Sequence, residues 1–492
     1  MSTKSRTSWS HWLVVAIGLG FMLGFPRLAP IEPITPVGMT ILGVFIGMVF
    51  LWSASDSIWP SLLGLLIVSL SGFVPNLKGY LAVKAVFLNA FGNETVVVVI
   101  LGLVFFAGLE YVGCTKYMAR FFLSIKALEG RPYVFLFLFF FASYFIGGLA
   151  NPMASMLLLW PIAIEICAKF GYKKDDKIFY TMIAGVYFAS TLGQPMFPFK
   201  GASYIVISAF EKMSKLHVNY GAYILYNVIM SMIILLCFIA FIKFVVRPDV
   251  EGFKKVTVAE LNTEKLPKMN IQQIMYFLTA LIYIIALIIP NFLPKTIPWV
   301  GFLSRIGIIG VTILCIVTLM ILRFEGKSMF DFRGIAKKSF SWDIFFLVAA
   351  ALYVCNAMTA ESTGIKPFLL QFLQPILGGR SEIVFIAILL AFALITTNFA
   401  NNAGMALILL PIVITFADQY QGVQLMPLYM TIAMMVFVAI LTPAASPYCG
   451  MLHAQRDLIS FKQITMLFVP MFFVAYFVYV FVGYRIATIL FQ

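Results

Sequence analysis

The sequence predicts an all-α polytopic membrane protein made of two inverted repeats, each with a re-entrant hairpin and a broken helix, about 11 transmembrane segments in all. Three observations carry that expectation. The first is composition: 62% hydrophobic and 11% charged residues over 492, with a mean hydropathy of +1.00, is more apolar surface than one soluble core can hide. The second is an interruption that occurs twice. From Phe145 to Pro161 and again from Thr396 to Pro411, glycine, asparagine and proline break hydrocarbon-grade sequence. Asn151/Asn401, Pro161/Pro411 and Thr191/Thr442 keep the same order, offset by 250, 250 and 251 residues. The third is charge placement. With both hairpins taken as re-entrant, 22 of the 34 lysines and arginines fall on inner segments and 9 on outer ones. Counting crossings opens the first hairpin from the cytoplasm and the second from outside, which inverts the repeats, and the charge bias agrees with an N-terminus in the cytoplasm.

Taken in order, apolar runs near 12-29, 38-53 and 57-74 open the chain, followed by a mixed segment and a span at 95-113. Lys4 and Arg6 ahead of Trp12 resemble a signal peptide. No small-residue cleavage pattern follows, which reads as an uncleaved first helix. From Cys114 to Arg131 basic residues alternate with Phe121, Phe122, Leu123 and Ile125, the pattern of an interfacial amphipathic helix. Arms at 132-149 and 153-168 form the first hairpin, and the run from Phe179 to about Phe210 is broken at Ser190 to Gly201. A span at 221-246 closes the half. The second half repeats the order with spans near 271-293, 300-323 and 341-358, an amphipathic piece at 365-376, and arms at 381-399 and 403-418. A broken span at 426-453, interrupted from Leu441 to Gly450, and a last span at 461-488 complete it. The expected division is 1-131 as scaffold and 132-246 as transport part of the first repeat. A cytoplasmic linker, 247-270, leads to 271-380 as scaffold and 381-492 as transport part of the second.

Composition also excludes classes. The net charge of +14 sits in short blocks between apolar runs, so no surface suits nucleic acid, and the natural partner is the bilayer of an inner or plasma membrane. The 6 cysteines lie in or at the end of apolar runs without paired spacing, and His11, His217 and His453 are scattered. No metal-ligand set, phosphate loop or nucleophile-base grouping is present, so the expectation is a protein that is not an enzyme and has no organic cofactor. A channel would need a continuous polar pore where this sequence has two dead-end hairpins.

The chemistry concentrates at the interruptions. Half-helix C-termini near Leu149 and Leu192 present carbonyl oxygens suited to Na⁺, and half-helix N-termini near Pro152 and Gly201 present N–H groups suited to an anion. Asn151, Asn401 and Asn402, with Ser190, Thr191, Thr442 and Ser446, can complete the site as neutral hydrogen-bonding groups. Two plainer roles stand beside this: Asn151 can cap the second arm with Pro152 at its first position, and the hydroxyls can bond back to their own helix. Lys200 is the one lysine at a break. It can attract the anion, stand in for a coupling cation, or snorkel.

At the tips Ala150-Asn151-Pro152 and Ala400-Asn401-Asn402, and at the second break, where either Thr442-Pro443 or Ser446-Pro447 can match that family's Thr-Pro while Gln194-Pro195 replaces it at the first, the chain resembles the divalent anion/sodium symporter family of the ion transporter superfamily. That family carries di- and tricarboxylates and, in some branches, sulfate. It has Ser-Asn-Thr at each tip; here both asparagines persist and the flanking serines and threonines do not. The resemblance implies a homodimer with a fixed scaffold and a transport domain that moves like an elevator. It implies substrate contacts from Asn151 and Asn401; Pro152, Asn402, Thr442, Ser446 and Lys200 are the further candidates that the residues themselves offer. One Na⁺ would lie near Leu149, Ala150, Asn151, Thr191 and Gly193, a second near Thr397, Ala400, Asn401, Leu441 and Ala445. The expected function is import of an organic anion, a di- or tricarboxylate, by Na⁺ symport. The alternative is a proton-coupled or exchange transporter of another anion such as sulfate, with Lys200 replacing a coupling cation.

Overall fold

A computed structural model describes residues 9–255, 257, 267–399, 402–417, 420, 422–443 and 445–491. Its helices, in chain order, are α1 (Trp9–Gly24), α2 (Pro36–Ala54), α3 (Ile58–Leu70), α4 (Tyr80–Phe91), α5 (Glu94–Tyr111), α6 (Cys114–Leu123), α7 (Pro132–Leu149), α8 (Pro152–Lys169), α9 (Lys177–Gly193), α10 (Gly201–Ser214) and α11 (Tyr220–Phe241). The second half has α12 (Ile271–Ile288), α13 (Pro298–Ile321), α14 (Phe332–Ser339), α15 (Trp342–Thr359), α16 (Ile365–Leu377), α17 (Glu382–Thr397), α18 (Asn402–Ala417), α19 (Leu425–Met435), α20 (Pro447–Ala454), α21 (Phe461–Val478) and α22 (Tyr484–Leu490). The protein is an all-α polytopic membrane protein; among the described residues the β-structure is one two-residue hairpin, Arg323–Phe324 with Lys327–Ser328. Nine described helices are long and apolar enough to cross a bilayer, or up to ten if α16 and α17, bent by 110° at their junction, count as one span. The halves of the broken spans are individually shorter.

Local sequence explains where the helices start. Pro36, Pro132, Pro152, Pro298 and Pro447 all stand in first turns, where the missing N–H costs nothing. Side chains of Thr35, Asn151, Asn219, Asn270, Asp331, Ser341, Ser446 and Ser460 accept the orphan N–H groups of the helices that follow them. Apolar side chains such as Ile282 on α12, Leu314 on α13 and Phe473 on α21 remain more than about 45% exposed, as helix faces bathed in acyl chains rather than water can be.

The chain packs as two compact units, Met1–Val97 with Ile205–His217 and Ser341–Tyr429, and Val98–Tyr204 with Val218–Phe340 and Met430–Gln492. In the first, α15 packs on α2, α3 and α4, and α18 on α15 and α16. The Thr35 hydroxyl and amide bond to backbone oxygens of the 362-363 turn. In the second, α7 lies against α9 and α8, and α6 covers α7. Residues 252 and 253, after α11, pack back there. Phe253 is fully buried among Phe135, Phe170 and Tyr172, and the Gly252 amide donates to the Tyr172 hydroxyl at 2.9 Å.

The first arm ends at Leu149 as expected, and the one difference from the sequence reading, in the second break, has a physical cause. Gly147 and Gly148 are helical, and the first interruption is confined to Ala150 and Asn151. The glycines admit α9: a Cβ on Gly147 would meet the Ser190 carbonyl oxygen at 2.5 Å, and one on Gly193 the Tyr144 oxygen at 2.0 Å. The second broken span opens at Val436, ahead of the expected Leu441, through two tightened turns ending at Val438. The freed Ala439 carbonyl accepts from the buried Tyr187 hydroxyl at 2.7 Å, a lateral satisfaction that hydrocarbon could not provide.

Candidate functional site

The first hairpin is closed by its own serines. The Ser143 and Ser155 hydroxyls, on opposite arms, lie 2.7 Å apart, and Ser155 also donates to the Ser143 carbonyl. The arms therefore run antiparallel and the chain reverses at Ala150-Asn151. Asn151 is extended (φ −167°, ψ 162°) and its Oδ1 accepts the Ala154 amide at 2.8 Å, which makes it the cap of α8. Its amide nitrogen points elsewhere and donates to Glu110 Oε2 at 3.1 Å. Of the first three helical positions Pro152, buried at the first, has no N–H, and the Ala154 amide is taken by the Asn151 cap.

The other face of the tip holds a cation. Lys200 Nζ donates to the carbonyl oxygens of Gly148 at 2.7 Å and Leu149 at 3.0 Å, and also to that of Ala150. An ammonium has three N–H donors, and the end of α7 leaves its last carbonyls without intrahelical partners. The match satisfies both, and the negative end of the helix dipole favours the charge. The Phe106 ring lies 5.0 Å from the same nitrogen. Lys200 reaches this position because α9 stops at Gly193 and α10 restarts at Gly201, whose φ of +50° is a left-handed conformation that a side chain would strain. The ammonium thus sits on the carbonyls of Leu149 and Ala150 that the sequence reading assigned to Na⁺.

The remaining candidates are placed as follows. Thr191, with Ser190 beside it, is buried and its hydroxyl bonds back to the Phe188 carbonyl at 2.8 Å, while Ser190 bonds to Tyr187. Gly193 serves the close approach of α9 to α7. Thr442 and Leu441 are half-buried in the second break, and Ala445 is fully buried. Ser446 caps α20 by accepting the Cys449 amide at 3.1 Å, with Pro447 next, repeating the Asn151-Pro152 arrangement. In the other compact unit the buried Thr397 hydroxyl donates to Asn402 Oδ1 at 3.2 Å, joining the two arms of the second hairpin. Ala400 and Asn401 lie outside the described residues.

Glu110 escaped the sequence reading, and Gln194 was named only as part of a break. Glu110, at the end of α5, faces the Asn151 amide; an isolated carboxylate at the end of an apolar span was the available signal. Gln194 stands in the first break with a buried Oε1 that finds no partner among the described residues, an acceptor whose desolvation is uncompensated. Beyond the spans, the Gly334 amide and the Tyr111 hydroxyl hold the Asp331 carboxyl below its usual range.

Comparison with known proteins decides the family. Residues 5–492 match the family described as the sodium:sulfate symporter transmembrane region. The chain belongs to that family. It is 24% identical over 283 residues to an uncharacterized transporter of Methanocaldococcus jannaschii, an alignment covering 56% of this chain and 57% of the relative. The chain thus spans little more than half the length of that relative. Its fold is similar to that of the Alcanivorax borkumensis YdaH transporter, with a TM-score of 0.54 and 14% identity over 82% of this chain and 86% of the other. Family and apolar helices together make it a multi-pass membrane protein.

Proposed function

We propose that the protein is a secondary active transporter that imports an organic anion, a di- or tricarboxylate, across an inner or plasma membrane with its N-terminus in the cytoplasm. It works as a homodimer whose hairpins and broken helices move as an elevator. The single observation that carries this reading is the first hairpin tip. Asn151 has its oxygen committed to the cap and its N–H₂ group directed away from the helix, toward a carboxylate. That is the donor a substrate carboxylate needs. In the same unit the helix starts at Pro152 and Pro447 supply further neutral donors, and Leu441 and Ala445 supply oxygens for a coupling Na⁺; in the other unit Asn402 and Thr397 offer groups of the same two kinds. Family membership supports a cation-coupled anion carrier without choosing the anion.

A second reading is favoured by Lys200. Because its ammonium takes three carbonyls at the first tip, one coupling cation is built into the chain there. Exchange or proton-coupled transport of another anion, sulfate included, then follows naturally. Uptake of labelled succinate, citrate and sulfate into proteoliposomes, with and without a sodium gradient, separates the two. The first reading expects carboxylate uptake driven by the gradient. Uptake indifferent to sodium would sink Na⁺ symport, and indifference to both carboxylates would sink the substrate class.

A further inference from the structure

The Asn151 amide that the transport reading gives to the substrate is occupied by Glu110, 3.1 Å away. An acid beside an anion site is unexpected: it repels the ligand and takes its donor. Glu110 is also firmly held. Tyr111, the next residue, donates to Asp331 at 3.0 Å and lies under the Lys338 ammonium. The Val112 carbonyl accepts from Gln273 at 2.9 Å, and Tyr276 donates to the Phe105 carbonyl at 2.7 Å. Gly108 lies so close to Tyr276 that a Cβ there would overlap the phenol oxygen. The end of α5 is therefore stapled to α12 and to the segment before α14, on the part of the chain assigned to the scaffold, whereas Asn151 is on the hairpin.

We propose that Glu110 is a built-in surrogate of the substrate carboxylate, a latch that holds the anion-free hairpin tip through Asn151 and is displaced when an anion takes the same amide. The inference rests on the transport reading for its second half only. The latch itself is a contact between two residues, whatever anion is carried. It gives the carrier a reason not to move the tip empty. Glu110 gives the Asn151 N–H₂ group a charged acceptor until an anion of the same chemistry arrives. The exchange of one carboxylate for another leaves the hydrogen-bond count unchanged and releases the hairpin from α5.

The test uses the full-length protein in detergent with two measurements on Glu110→Gln and Glu110→Ala. Hydrogen–deuterium exchange of peptides covering residues 146–156, in anion-free buffer, reads the latch directly. Both variants should exchange several-fold faster at the tip, with the α12 peptides unchanged. Wild-type rates at the tip in Glu110→Ala would overturn the latch, whether or not any anion binds. Thermal-shift titration with succinate, citrate and sulfate reads the competition. Glu110→Gln should bind whichever anion wild type binds with an apparent Kd at least about three-fold lower, because the repelling charge is gone. An equal or weaker affinity would overturn the surrogate role. If wild type responds to none of the three anions, the transport reading loses its substrate class while the exchange data still decide the latch.

Discussion

Asn151 carries two jobs on one side chain, and they can be pulled apart. Its oxygen caps α8 and its amide nitrogen faces an anion. Serine caps as well as asparagine but has no N–H₂ group to direct outward, whereas loss of the cap costs about 1 kcal/mol. Asn151→Ser should therefore melt near the wild-type temperature and lose at least about ten-fold in anion uptake, the loss expected when a charge-assisted hydrogen bond goes. Asn151→Ala should lose both, which scanning calorimetry and uptake into proteoliposomes would show. Undiminished uptake in Asn151→Ser would reduce the residue to a cap. Gln194 invites a parallel measurement: with no partner for its buried oxygen among the described residues, Gln194→Leu should leave the protein as stable or more so. A drop in uptake at unchanged melting temperature would mark that oxygen as part of the site.

The hairpin and its broken neighbour form one packed element, held by absent side chains as much as by present ones. Gly147, Gly148 and Gly193 bring α7 and α9 to backbone contact, and Trp160 ties α8 to the Ile183 carbonyl at 3.0 Å. Gly193→Ala puts a methyl group against the Tyr144 oxygen and the Gly148 nitrogen. It should destabilise the protein by about 1–3 kcal/mol, the usual cost of overpacking, read as a lower midpoint in a denaturation series that keeps Lys200 intact. A wild-type midpoint would mean that the arms are not so close. Here the limits of the sequence are clear. The arms at 132-149 and 153-168 were legible because hydropathy stops at Asn151-Pro152, and the tip and first break because glycine and proline do not belong in lipid. Glycine, however, has two reasons to be in a membrane helix, to end it or to let another helix approach, and one residue type cannot distinguish them. The early opening of the second break at Val436 was illegible for a related reason: Val436 to Ile440 are all apolar, and the partner that frees Ala439 from the helix is Tyr187, 252 residues away. Glu110 was missed because its partner is also distant in sequence.

At the scale of the whole molecule the question is how many cations each cycle takes from solution. Repetition of the hairpin suggests two cation positions, and a chain in which both were open would bind sodium at both. The first position is filled from within, since the three carbonyls at the end of α7 meet the three N–H bonds of Lys200. If a sodium gradient drives uptake as proposed, an ammonium tethered at this position does not respond to that gradient, and the stoichiometry is lower by one. Removing it reverses the logic. Lys200→Met leaves the carbonyls facing a neutral side chain, a cage of hard oxygens that sodium suits. Uptake by Lys200→Met should fall far more than its expression, and the uptake that remains should depend more steeply on sodium concentration than in wild type. Initial rates of labelled anion uptake across a sodium series, with choline balancing the salt, give the two slopes. Equal slopes in a folded variant would show that Lys200 fills no cation position, and a variant with full uptake would remove the lysine from the transport cycle altogether.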